Sequence, residues 1–143
     1  MQQRLLEAAV VAMQSLVGQT NDRLDATLSE YRLTGATAQA LWAIDPDEKA
    51  PSMKTMAQRL FCNAPNLSFV TTQLVDRGFV ERVVDPDDRR SRLVALTPEG
   101  LRVRGAVIDA ALAASPLARL TDRQLTELIG LLGRAREPSS EGS

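Results

Sequence analysis

Residues 78–100, GFVERVVDPDDRRSRLVALTPEG, decide the fold. A short apolar run from Val80 to Val84 leads into a charged tip, and an alternating run from Arg92 to Leu96 leads away from it. Two such runs separated by turn formers predict the strands of a hairpin. In the tip, Asp85-Pro86-Asp87-Asp88 combines a proline pre-set for a turn with aspartates whose carboxylates bond nearby backbone N–H groups. Arg89, Arg90 and Arg92 follow at once. Upstream, Asn63 reads as an N-cap and Pro65 falls in the first turn, where its missing N–H costs little. A helix is therefore expected from about Ala64 to Arg77, burying Leu67, Val70, Thr71 and Leu74 and stopping at Gly78. Helix, strand, basic loop and strand in that order describe a winged helix.

Outward from this stretch the chain reads as helices. Ser52 caps a short one, Met53 to Phe61, with Met56, Ala57 and Leu60 at core spacing; Cys62 and Asn63 make the turn of a helix-turn-helix. Thr34 caps another that runs to about Ile44, with Ala38, Leu41 and Trp42 facing inward, and Asp45 to Pro51 is a loop by composition. Residues 3–31 form a long first helix with two adjacent apolar stripes: Leu5, Ala9, Ala12, Leu16 beside Leu6, Val10, Met13, Val17. One stripe would suffice for a helix lying on a monomer core, so two suggest a second subunit.

Beyond the hairpin, Thr97-Pro98-Glu99 opens a helix to about Ala114, whose apolar residues (Leu101, Ile108, Leu112 and Val103, Val107, Ala110) again occupy more than one face. Ser115-Pro116 breaks it. Thr121 and Gln124 form a capping box for a last helix, Asp122 to Ala135, with Leu125, Leu128, Ile129 and Leu132 as its stripe. The expected architecture is mainly α with a minor β part: one domain over 1–143, a winged-helix lobe at 34–97, dimerisation helices at 3–31 and 98–136, and a disordered tail at 137–143.

Composition narrows the chemistry. Net charge is −1, but residues 53–104 hold nine Lys/Arg against six Asp/Glu, or +3, which leaves −4 for the remainder. A basic module carried by acidic surroundings suits a surface aimed at phosphate. The chain has no histidine and a single cysteine, Cys62, so zinc constellations, intrachain disulfides and Ser-His or Cys-His nucleophiles cannot be assembled, and no phosphate-cradling glycine loop is present. Neither a cofactor, a metal nor an enzymatic activity is expected. No run has membrane-spanning length and no signal-peptide pattern opens the chain, so a soluble cytoplasmic protein is expected. Cys62 has two readings, a buried small hydrophobe or a thiol activated by the following helix N-terminus.

In these residues the chain resembles the multiple-antibiotic-resistance regulator (MarR) family of bacterial transcription factors. The family's wing pattern, Asp-x-Arg followed by alternating apolar residues and Leu-Thr, is met by Asp88, Arg90, Val94, Leu96 and Thr97. Gly78-Phe79-Val80-Glu81-Arg82 resembles the Gly-Leu-Val-x-Arg that enters the first wing strand, and helix order fits from about residue 3 to 136. The resemblance implies a homodimer that binds a pseudo-palindromic operator in double-stranded DNA, of repressor type, with a small-molecule effector acting between its dimerisation and DNA-reading parts.

It also implies roles. Arg90 would enter the minor groove, Asp88 would hold the Arg90 fork by a bidentate pair, and Arg89 and Arg92 would contact phosphate. On the reading helix Pro65 would lie at the groove edge, Asn66 and Gln73 could bond adenine or phosphate, and Ser68 and Thr72 suit phosphate oxygens. Phe69 stands where family members commonly carry a basic residue, and three readings stay open: contact with thymine methyls, burial in the core, or weakened DNA affinity. An effector cleft would lie near Met13, Tyr31, Trp42 and Leu101, residues that also read as core. A winged helix turned protein-interaction module, without DNA binding, is the alternative.

Overall fold

The computed structural model describes residues 1–60 and 64–136. The elements are α1 (Gln2–Glu30), α2 (Gly35–Trp42), α3 (Met53–Leu60), α4 (Ala64–Asp76), β1 (Val80–Asp85), β2 (Asp88–Leu96), α5 (Pro98–Ala114), a 3-10 turn (Pro116–Arg119) and α6 (Asp122–Arg136). The readings of Phe61, Cys62, the Asn63 cap and the tail 137–143 lie outside the described residues.

The caps form as their chemistry requires. Thr34 accepts the Thr37 N–H while Thr37 Oγ1 takes the Thr34 N–H; Ser52 Oγ accepts from Thr55; Thr121 and Gln124 exchange the same pair of bonds at α6. Each satisfies donors that a helix start leaves orphaned. α4 ends with Gly78 at φ 78°, its N–H donating to Val75 O and that of Phe79 to Leu74 O. That is a Schellman stop, and Phe79 is carried with Leu74 into the core.

The core sits where α2, α4, the base of the hairpin and α5 converge. Leu41, Ile44, Met56, Leu67, Leu74, Val80, Val94 and Val103 are almost wholly enclosed, and Leu28 from the end of α1 and Val107 from α5 join the same cluster. Truncating such a side chain to alanine costs about 2–5 kcal/mol, so this cluster holds the lobe together.

Trp42 departs from expectation: it is exposed. Ala38, Ala40, Leu41 and Ile44 take the inward positions, and Trp42 lies one step, about 100°, round the helix from Leu41.

The junction between α4, β1 and α5 is close. Thr97 Oγ1 accepts the Gly100 N–H at 3.0 Å, capping α5, and donates to Gly78 O at 2.6 Å, while the Thr97 N–H donates to Phe79 O at 3.1 Å. Gly100 packs on this spot so tightly that a Cβ there would meet Phe79 O at 1.7 Å. The long α5 is therefore seated directly on the backbone that links α4 to the hairpin.

The terminal helices differ. In α1 only Leu28 is buried, and in α6 no residue is fully buried, Leu125 and Leu128 being half-buried. Arg23 reaches Ala114 O at 2.9 Å, tying the middle of α1 to the end of α5. Beyond that tie Leu5, Leu6, Val10, Val11, Met13 and Val17 stand exposed on α1, as do Leu112 on α5 and Ile129, Leu131 and Leu132 on α6.

Candidate nucleic-acid interface

The inward stripe of α4 sits as its periodicity requires, with Leu67, Val70, Thr71 and Leu74 buried. The opposite side is thereby turned to solvent: Asn66, Ser68, Phe69 and Thr72 are exposed and Gln73 is half-buried. The Pro65 side chain lies outside the described residues. Phe69, at 63% exposure, is not core, because Leu67 and Val70 on either side of it already fill the inward positions. Arg82 on β1, expected only as the end of the strand-entry motif, donates to Thr72 Oγ1 at 2.9 Å and adds a guanidinium to this face. Arg77 is engaged elsewhere, with Arg32 O at 2.6 Å and Gln73 O at 3.1 Å.

In the hairpin, β1 and β2 pair antiparallel from Val80↔Leu96 to Val84↔Arg92, after which the register jumps to Asp85↔Asp88. The strands run further than expected, leaving only Pro86 and Asp87 as the turn. Arg89, Arg90 and Ser91 lie between the last two pairings with no partner on β1, a bulge that pushes two arginines out of the ladder.

Asp88 does not take up the bidentate role. Its Oδ1 accepts the backbone N–H of Arg90 at 3.1 Å, and among the described residues no ion pair holds the Arg90 guanidinium. The carboxylate is two residues away along the same strand, where a local Asx bond forms more readily than a pairing with a long side chain. Arg92 folds back onto Arg89 O at 3.1 Å and Ser91 O at 3.5 Å. All three arginines are exposed, but only Arg92 is turned onto backbone carbonyls.

The acids of the tip are answered from outside the hairpin. Lys49, in the loop between α2 and α3, lies 2.9 Å from Asp87 Oδ2 and 3.4 Å from Asp85 Oδ1. The Asp87 N–H also bonds Asp85 Oδ1 at 2.9 Å; this backbone bond and the Lys49 ammonium hold the Asp85 carboxyl below its usual range, and the Asp87 bond raises the Lys49 ammonium. Nothing in the sequence pattern pointed to Lys49, because the pairing spans 36 and 38 residues.

Of the four residues of the expected effector cleft, none is fully buried. Met13 is exposed on α1 and Trp42 on α2. Tyr31 is half-buried with the Arg102 guanidinium 5.9 Å above its ring, and Arg102 pairs with Glu99. Leu101 is exposed rather than core, and it alone of the four lines an open groove of about 420 Å³ formed by the α2–α3 loop and the β2–α5 junction. Among the described residues no cluster of metal-ligating side chains occurs, and no helix is long and apolar enough to cross a membrane.

A helix-turn-helix with a solvent-facing polar front, followed by a hairpin that extrudes two arginines, defines a winged-helix protein. Residues 33–91 match the model of the MarR family. The HTH-type transcriptional regulator SarZ of Staphylococcus saprophyticus is 32% identical over 77 residues, 54% of this chain and 52% of that protein. The chain spans about half the length of the curated relatives it matches. CouR from Rhodococcus jostii RHA1, solved with p-coumaroyl-CoA, shares the fold at a TM-score of 0.78 and 20% identity, covering 90% of this chain and 91% of its own. CouR bound to a 23-mer DNA duplex gives 0.73 at 21% identity, covering 93% and 95%. The likeness to the MarR family thus rests on residues 33–91, the helix-turn-helix and the first part of the wing.

Proposed function

We propose that this protein is a sequence-specific DNA-binding transcriptional regulator of the repressor type, acting as a homodimer on a pseudo-palindromic operator. The observation that carries the reading is the bulge at Arg89-Arg90, which leaves two exposed arginines at the tip of a hairpin that follows a helix with a solvent-facing polar side. A helix of this kind enters the major groove, and a basic hairpin reaches the neighbouring minor groove, where narrow A·T tracts concentrate negative potential. Asn66, Ser68, Thr72 and Gln73 supply amide and hydroxyl groups for base edges and phosphates, with Pro65 at the groove edge. Arg90 is the minor-groove residue, Arg89 meets phosphate, and Arg92 supports the bulge from behind. The DNA-bound CouR of the same fold favours this placement.

Two copies are called for because the outer apolar faces of α1 and α6 have no cover among the described residues. Apolar area of that extent on a soluble protein marks an interface. A two-fold pairing through these helices sets the separation of the two reading helices, and half-sites about one helical turn apart follow from it. The groove at Leu101 borders the Thr97–Gly100 junction, so a small molecule seated there would act on the seat of α5; p-coumaroyl-CoA on CouR is the parallel.

Selection of bound fragments from random duplex DNA, followed by titration over salt, tests the reading. Affinity falls steeply as salt rises, because each neutralised phosphate releases counterion. Arg90→Ala weakens the selected duplex about tenfold without changing the unfolding midpoint. The exposed Phe69 favours one competing reading, a protein-interaction module; a protein that retains no duplex at any salt concentration would belong to that class.

A further inference from the structure

The wing tip has a charge problem. Residues 85–92 contain three aspartates and three arginines, which cancel, and Arg92 is turned onto backbone carbonyls. A phosphate approaching Arg89 and Arg90 would meet Asp85, Asp87 and Asp88 within a few residues. One further cation makes the cluster net positive, and the structure supplies it at Lys49.

An exposed ion pair on its own contributes little, since two long side chains must be ordered to form it. Lys49 is different because its loop is fixed on both sides. Before it, Glu48 pairs with Arg59 at 3.1 Å, and Arg59 also donates to Ala43 O at 2.6 Å. After it, Pro51 O accepts the Val94 N–H at 2.8 Å, and Ser52 forms an antiparallel bridge with Leu93. Much of the ordering cost is thus met by the loop. Lys49 also bonds two acids at once, one of which, Asp85, shapes the Pro86–Asp87 turn through its bond to the Asp87 N–H.

Resting on the DNA-binding reading, we infer that Lys49 is a positioning residue of the wing: it bridges Asp85 and Asp87, offsets one of their two charges and fixes the turn, so that the tip meets DNA with a net positive charge at Arg89 and Arg90. It acts through the acids and does not itself touch DNA.

The experiment is a double-mutant cycle on the full-length protein, using the duplex selected by the wild type. Lys49→Ala binds about fivefold more weakly at low salt with its unfolding midpoint unchanged, and Lys49→Arg binds as the wild type does. Asp87→Asn strengthens binding clearly more in the Lys49→Ala background than in the wild type, because only there is the acid unanswered. Equal strengthening in both backgrounds would mean that Lys49 contacts DNA directly, and wild-type affinity in Lys49→Ala would remove it from the mechanism; either result overturns the inference. Trypsin cleavage after Arg89 and Arg90, without DNA, is a separate readout. It is faster in Lys49→Ala and unchanged in Lys49→Arg, and equal rates in all three proteins overturn the clamp. Should no duplex bind the wild type, the DNA-binding reading fails, and the proteolysis rates still decide whether Lys49 fixes the turn.

Discussion

The lobe around α4 and the outer parts of α1 and α6 are written in the same apolar alphabet and meet opposite fates. Leu41 and Val94 are wholly enclosed within one chain, whereas Leu6 is 63% and Ile129 is 69% exposed. Both sets recur at helical or strand spacing, so periodicity marks a face that must be covered without saying what covers it. The lobe is closed by its own chain, and among the described residues the outer terminal helices are not, so their cover would be something else. If that something is a second copy, the two regions divide the work: the lobe supplies the reading surface, and the helices set how far apart two such surfaces stand.

The strongest way to break this division is to charge the outer helices. Leu6→Glu with Ile129→Glu should convert a dimer into a monomer by sedimentation, while far-UV circular dichroism and the near-UV signal of Trp42 persist. Operator affinity should drop at least about a hundredfold, since linked half-sites gain roughly 10²–10⁴ over single ones. A dimer that survived both charges would place its interface elsewhere.

A second prediction sharpens the boundary between the regions, at the seat of α5. Gly100→Ala forces a Cβ onto Phe79 O, a backbone atom that cannot swing away, and should cost about 2–3 kcal/mol in urea denaturation. Gly105→Ala, one and a half turns further along α5, meets nothing within 4 Å and should stabilise by about 0.5–1 kcal/mol. Opposite signs for one substitution in one helix would locate the rigid coupling at the Thr97–Gly100 junction.

How much of this was legible follows from distance along the chain. Caps at Thr34, Ser52, Thr97 and Thr121, the stop at Gly78 and the inward stripe of α4 depend on residues three to five apart, and the structure has each of them. The arginines of the tip were legible as a cluster, because Pro and Asp announce a turn. The bulge was not, since it depends on cross-strand register, and Lys49 was not, since its partners come from another part of the chain. Asp88 and Trp42 show the other limit. The Asp88 carboxylate bonds a neighbouring backbone N–H instead of the Arg90 fork, and Trp42 stands outward because Leu41 takes the inward position beside it.

The smallest effect concerns Phe69, the exposed aromatic on the lobe's own reading face. An uncovered phenyl ring among Asn66, Thr72 and Gln73 gains nothing from water, and the apolar group a major groove offers is the thymine C5-methyl. One methyl buried against the ring is worth about 0.8 kcal/mol, roughly fourfold in affinity per half-site. Replacing thymine by deoxyuridine, one symmetric pair of operator positions at a time, removes that methyl without altering any hydrogen bond. One pair should show the loss in the wild type and none in Phe69→Ala. Equal losses in both proteins would mean that another side chain reads the methyl, and the lobe would then carry an exposed apolar residue for a protein surface, as the outer helices do.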